Sequence, residues 1–124
     1  MAVQILIIDD DRALRTIFNK RLSNAGYIVS EAYNGEVGLE MAIEHLPDVI
    51  ILDIEMPVMD GIDTLHNLRA MNQTRAIPVI LVTATSSAHQ IPGAQLADLI
   101  LQKPVSTREL LKHVSSVLTG VRDK

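Results

Sequence analysis

Apolar residues follow two alternating rhythms along this chain. Short continuous runs stand at Val3 to Ile8, broken only by Gln4, at Val49-Ile50-Ile51-Leu52, at Val79-Ile80-Leu81-Val82 and at Leu99-Ile100-Leu101. Runs of this kind, rich in β-branched residues, suit strands buried on both faces, and such strands belong to parallel sheets covered by helices. Tyr27 to Ala32 reads as a further strand with imperfect alternation. Between these runs the apolar spacing becomes helical. Leu14, Ile17, Phe18 and Leu22 form one stripe, Leu39, Ala42, Ile43 and Leu46 a second, Ile62, Leu65, Leu68 and Met71 a third, and Leu110, Val114, Val117 and Leu118 a fourth.

Punctuation agrees with this division. Asp10 or Asp11 is placed to cap the first helix and Gly26 to stop it, while Asn34-Gly35 marks a turn. Pro47-Asp48 ends the second helix and launches the Val49 run, and Ser106-Thr107-Arg108-Glu109 has the form of a capping box. Residues 84 to 97 are different, because Pro92-Gly93 interrupts any long helix and the apolar positions settle on no single face; a short or broken helix is expected there. Five strands alternating with helices imply a parallel sheet with right-handed crossovers and helices on both faces. The expected organisation is one domain over 1–120, with a frayed tail over 121–124.

Composition narrows the possibilities. Hydrophobic residues make up 48% of the 124 and aromatics only 2%, so the core must be built from Ile, Leu, Val, Met and Ala. The absence of cysteine excludes disulfides, thiolate metal sites and thiol nucleophiles, and it fits a reducing compartment, with cytoplasm the expectation. The apolar runs are far shorter than the roughly 20 residues a membrane-spanning helix needs, and Met1-Ala2-Val3-Gln4 lacks the basic start of a signal peptide. A formal net charge of −4 argues against direct nucleic-acid binding. The four histidines, at 45, 66, 89 and 113, share no metal-like spacing and read as solvated.

The chemistry gathers where strands end. Asp9 and Asp10 close the first strand, Asp53 the third, Thr83 the fourth, and Lys103 lies just beyond the fifth. In open α/β sheets the carboxyl ends of the strands form the ligand crevice. Carboxylates crowded there repel one another, which raises their affinity for protons or for a hard cation. With no His or Cys in the set, oxygen ligands favour Mg²⁺ or Mn²⁺ over zinc. A lysine and a hydroxyl opposite would suit phosphoryl transfer, which needs positive charge and donors more than an acid or base. Asp53 is then a candidate nucleophile forming an aspartyl phosphate. Asp11 and Asp60 read as helix caps.

Asp9-Asp10 after Ile-Leu-Ile-Ile, Asp53 with Met56-Pro57 and Asp60-Gly61, Val82-Thr83-Ala84 and Lys103-Pro104 resemble the receiver domain of two-component response regulators over nearly the whole chain. The resemblance implies a flavodoxin-like (βα)5 doubly wound sheet in strand order 2-1-3-4-5. It implies that Asp53 accepts a phosphoryl group from a sensor histidine kinase or phosphotransfer protein, and that Asp9 and Asp10 bind Mg²⁺ together with Asp53 and the backbone carbonyl of Glu55. Thr83 and Lys103 would contact the phosphoryl group, with inward movement of the hydroxyl as the switch and a cis bond before Pro104 helping to aim Lys103. A downstream protein of unknown identity would read the switched form. Glu55 and Thr85 match positions that tune phosphoryl lifetime.

Some positions depart from the family pattern. Ile100 stands where a Tyr or Phe usually reports the threonine's movement, and Val105 where Phe is usual. Pro92-Gly93 falls within the fourth crossover, which bears on the usual output surface. Two rivals follow: a degenerate receiver acting as a constitutive binding module, and a Mg²⁺-dependent phosphatase with an Asp nucleophile and Glu55 as its second acid. Nucleotide binding is disfavoured, because no glycine-rich phosphate loop follows the first strand.

Overall fold

The computed structural model describes residues 2–120. Its five strands are β1 (Gln4–Ile8), β2 (Ile28–Ala32), β3 (Val49–Asp53), β4 (Val79–Thr83) and β5 (Leu99–Gln102). They pair in parallel in the order β2-β1-β3-β4-β5. Four helices connect or follow them: α1 (Arg12–Asn24), α2 (Gly35–His45), α3 (Gly61–Ala70) and α4 (Thr107–Thr119). The doubly wound arrangement and its strand order are those expected. The tail expected at 121–124 lies outside the described residues.

Strand periodicity divides the core in two. Leu6, Ile8, Ile50, Leu52 and Leu81 face one side with Leu65 and Leu68 of α3, and Ala42 of α2. Ile5, Ile7, Val49, Ile51 and Ile80 face the other with Phe18 and Leu22 of α1 and with Leu110, Val114 and Val117 of α4. Central strands β3 and β4 are buried at every position, as continuous apolar runs require. Each fully buried Leu or Ile contributes about 2 kcal/mol. No helix among the described residues is long and apolar enough to cross a membrane.

Three stripe positions differ from expectation. Ile17, Ile43 and Leu46 are exposed. On α2 the reason is close approach: Gly35, Gly38 and Ala42 are the buried positions, and a Cβ added at Gly38 would lie 2.5 Å from Ile8 Cδ1. The smallest residues therefore face the sheet, which rotates Ile43 outward. On α1 the buried residues are Phe18 and Leu22, one helical turn apart, which leaves Ile17 to the side. Among the histidines, His113 is half-buried, because it shares α4 with the buried residue Val114 next to it.

Residues 84–97 contain no α-helix. Two single 3₁₀ turns, Ala88–Gln90 and Ala94–Leu96, flank Pro92-Gly93. Gly93 has φ +95, and a Cβ there would meet His66 Nε2 at 2.7 Å, so the segment lies flat against α3. Arg69 of α3 fastens it: the guanidinium donates to the carbonyls of Leu96 (3.0 Å) and Ile77 (2.7 Å) and pairs with Asp98 at 2.9 Å. The interruption visible at Pro92-Gly93 thus removes the fourth crossover helix altogether.

Candidate functional site

Helix caps shape the crevice before any functional side chain enters it. Asp11 accepts from Leu14 N–H at the start of α1, and Asp60 accepts from Asp63 N–H at the start of α3. Both are therefore caps, as expected, and of the two candidates for α1 it is Asp11 that serves. Ser106 likewise accepts from Glu109 N–H.

Asp9, just past β1, and Asp53, last in β3, are 3% and 2% exposed, whereas Asp10 is open to solvent. One oxygen from each of Asp9, Asp10 and Asp53 lies within 4.8 Å of the others. Lys103 crosses from beyond β5 to donate to Asp53 Oδ1 at 3.0 Å. Its backbone is anchored beside β4, where Lys103 N–H donates to the Thr83 carbonyl (2.7 Å). The Lys103–Pro104 bond is cis. The structure thus brings Asp9, Asp10, Asp53 and Lys103 together, while the Thr83 hydroxyl is engaged by Glu55, of which only the backbone carbonyl was expected as a ligand. The Glu55 carboxylate is not in the acid group and turns to the β4 tip instead.

At that tip Thr83, fully buried, donates its hydroxyl hydrogen to Glu55 Oε2, while Ala84 N–H donates to Glu55 Oε1 at 3.1 Å. Thr85 N–H donates to the Thr83 hydroxyl oxygen at 3.0 Å. A role for Arg15 was not visible in the sequence. Its guanidinium donates to the Asp9 carbonyl (2.7 Å) and pairs with Glu31 on β2 (2.9 Å). Glu31 also accepts from Asn19 at 2.6 Å, so α1, β2 and the β1 tip are clamped together. Nothing in the spacing of Arg15 and Glu31 announces this contact.

The electrostatics follow from burial. Loss of water, then the neighbouring Asp9 charge, push Asp53 up to about 6 against the pull of Lys103. Burial also raises Asp9, although Asp11 N–H and Lys103 oppose it. Burial works against the Lys103 ammonium, yet Asp53, Asp9 and Glu55 together outweigh it and hold its pKa above the ordinary value. Two buried carboxylates and an exposed third, relieved by one lysine, remain short of positive charge. That all-oxygen set fits a hard divalent cation.

A pH dependence follows. Raised aspartate pKa values mean that the folded state binds more protons than the unfolded one between about pH 4 and 6, so stability falls as pH rises through that window. For Asp53 the move from 3.8 to about 6 is worth roughly 3 kcal/mol. Without divalent cations the melting temperature is expected to fall between pH 4.5 and 7, less so in Asp53→Asn, and to recover on adding Mg²⁺. A melting temperature that rises equally with pH in both proteins would contradict the burial account.

Comparison with known proteins gives a consistent picture. A family profile described as the response regulator receiver domain matches residues 5–115. The response regulator MprA of Mycobacterium ulcerans is 37% identical over 120 residues, covering 95% of this chain and 51% of that protein. The chain therefore spans about half the length of the curated relatives it matches. Among solved structures, the chemotaxis protein CheY4 of Vibrio cholerae superposes with a TM-score of 0.89 at 31% identity, covering 95% of this chain and 100% of that one. A CheY-like receiver domain protein from Methanospirillum hungatei gives 0.87 at 26% identity, with 97% and 96% covered.

Proposed function

The chain belongs to the response regulator receiver domain family, and we propose that it is a phosphoacceptor switch in which Asp53 takes a phosphoryl group from a sensor histidine kinase or phosphotransfer protein. The observation that carries this reading is the pairing of a nearly water-free Asp53 with Lys103 at 3.0 Å beside two further acids. An Asp53 carboxylate oxygen attacks the phosphorus of a phosphohistidine, the P–N bond breaks, and the departing imidazole takes up a proton. An acyl phosphate on Asp53 is the product.

Asp9, Asp10 and Asp53 would hold Mg²⁺ or Mn²⁺, with the Glu55 backbone carbonyl as a further ligand; when bound, the ion supplies positive charge against the phosphoryl oxygens. Lys103 neutralises the transferred group from the opposite side, and the Thr83 hydroxyl donates to it once turned inward. Arg15 holds the Asp9 backbone so that the acid pair keeps its place. Repacking around β4 and β5 then changes affinity for a downstream protein. The segment at 84–97, which lacks an α-helix, alters that output surface and leaves the acceptor chemistry intact. We place this switching in the cytoplasm.

Incubation with acetyl phosphate and Mg²⁺, followed by intact mass measurement, is expected to show one added phosphoryl group. Yield should collapse with a chelator and fall about tenfold or more in Asp10→Asn, which removes a ligand exposed enough to leave folding unharmed. Equal yields with and without chelator would overturn the metal role. No adduct under any condition would overturn the acceptor reading.

A further inference from the structure

We propose that Glu55 is an internal occupant of the phosphoryl-binding donors, holding the Thr83 hydroxyl and the Ala84 N–H until a phosphoryl group displaces it. This rests on the reading of Asp53 as acceptor. A hydroxyl has one hydrogen to give, and Thr83 gives it to Glu55 Oε2. While that bond stands, Thr83 cannot donate to a phosphoryl oxygen. The second carboxylate oxygen takes Ala84 N–H at 3.1 Å, and Thr85 Oγ1 lies at the outer limit of hydrogen bonding to Oε2, at 3.5 Å. Glu55 thereby presents to the β4 tip what a phosphoryl group would present: an anion with oxygens spaced for adjacent donors.

The occupancy is built to be reversible. Thr83 is fully buried, its hydroxyl oxygen also accepting from Thr85 N–H at 3.0 Å. Glu55 is itself exposed, between buried Ile54 and Met56, and can return to water without leaving a buried charge behind. Displacement thus exchanges one anion for another on the same donors, with Glu55 setting a threshold against weak or partial occupancy. The acid's proximity to Asp53 adds to this, since its negative charge opposes an arriving anion.

Titration with beryllofluoride in excess Mg²⁺, read by calorimetry on the whole chain, separates the possibilities. Glu55→Ala is expected to bind about tenfold more tightly than the parent, since a charge-assisted contact no longer has to be broken. Glu55→Gln, which keeps an acceptor but loses the charge, should fall between. In a Thr83→Ala background the part of the gain that comes from freeing the Thr83 hydroxyl should vanish, leaving the release of Ala84 N–H and the effect of the removed charge. Amide exchange at Ala84 should also quicken in Glu55→Ala without any phosphoryl mimic. An equal gain in both backgrounds, or no gain with unchanged Ala84 exchange, would overturn the occupancy while leaving Asp53 as acceptor. Failure of the parent and every variant to bind beryllofluoride would overturn the acceptor reading, and this inference with it.

Discussion

Gly61→Ala is expected to cost about 3 kcal/mol or more of stability and to impair the site itself. A Cβ at this position would lie 2.2 Å from the Asp53 carbonyl oxygen and 2.7 Å from Ile54 Cα, both backbone atoms that cannot rotate away. Gly61 N–H also donates to the Ile54 carbonyl at 2.9 Å, so α3 starts in direct contact with the end of β3. Relief of the clash must move either the helix or the residue next to the acceptor. Gly26→Ala is the informative control, because Gly26 has φ +101 with nothing within 4 Å of an added Cβ. Its cost is backbone strain alone, on the order of 1–2 kcal/mol. Urea titrations of the two variants should therefore rank Gly61→Ala clearly below Gly26→Ala. The reverse order would show that the α3 approach is looser than described.

Lys103→Met should slow phosphorylation of Asp53 by about 10²-fold, the loss typical when one preorganised donor to a developing anion is removed. Two effects combine. The moving phosphoryl group loses its cation, and Asp53 loses the partner that draws its pKa down, so its carboxylate becomes harder to ionise. The second effect fades with alkali and the first does not. Rates with acetyl phosphate measured from pH 6 to 9 should accordingly show a deficit that narrows with rising pH but never closes. A rate equal to the parent's at pH 7 would remove Lys103 from the chemistry.

The fold was legible because each central strand is a continuous apolar run ending on a polar handle. Val49 to Leu52 could hardly be anything but a buried strand, and Asp53 then had to lie at the crevice. Helix faces were less legible. Ile43 follows the helical period, yet the sheet-facing side of α2 is set by Gly38 and Ala42, whose lack of bulk lets the helix sit close; period counts apolar residues and cannot see close packing. Residues 84–97 showed their break at Pro92-Gly93, but the Arg69 bonds that hold the resulting turns come from another element. The site showed the same division. Its acids, threonine and lysine stand at strand ends and could be read in order, whereas the turn of Glu55 toward Thr83 depends on two loops meeting in space. Arg15 is likewise joined to Asp9 through a carbonyl, and no side-chain motif records such a bond.

The acceptor role of Asp53 is tested most directly by trapping the acyl phosphate. Phosphorylation with acetyl phosphate and Mg²⁺, reduction with borohydride and peptide mass mapping should find homoserine in place of aspartate at position 53, with Asp53→Asn giving none. Unreduced aspartate at 53 in a protein that has gained a phosphoryl group, or homoserine at another aspartate, would contradict the account.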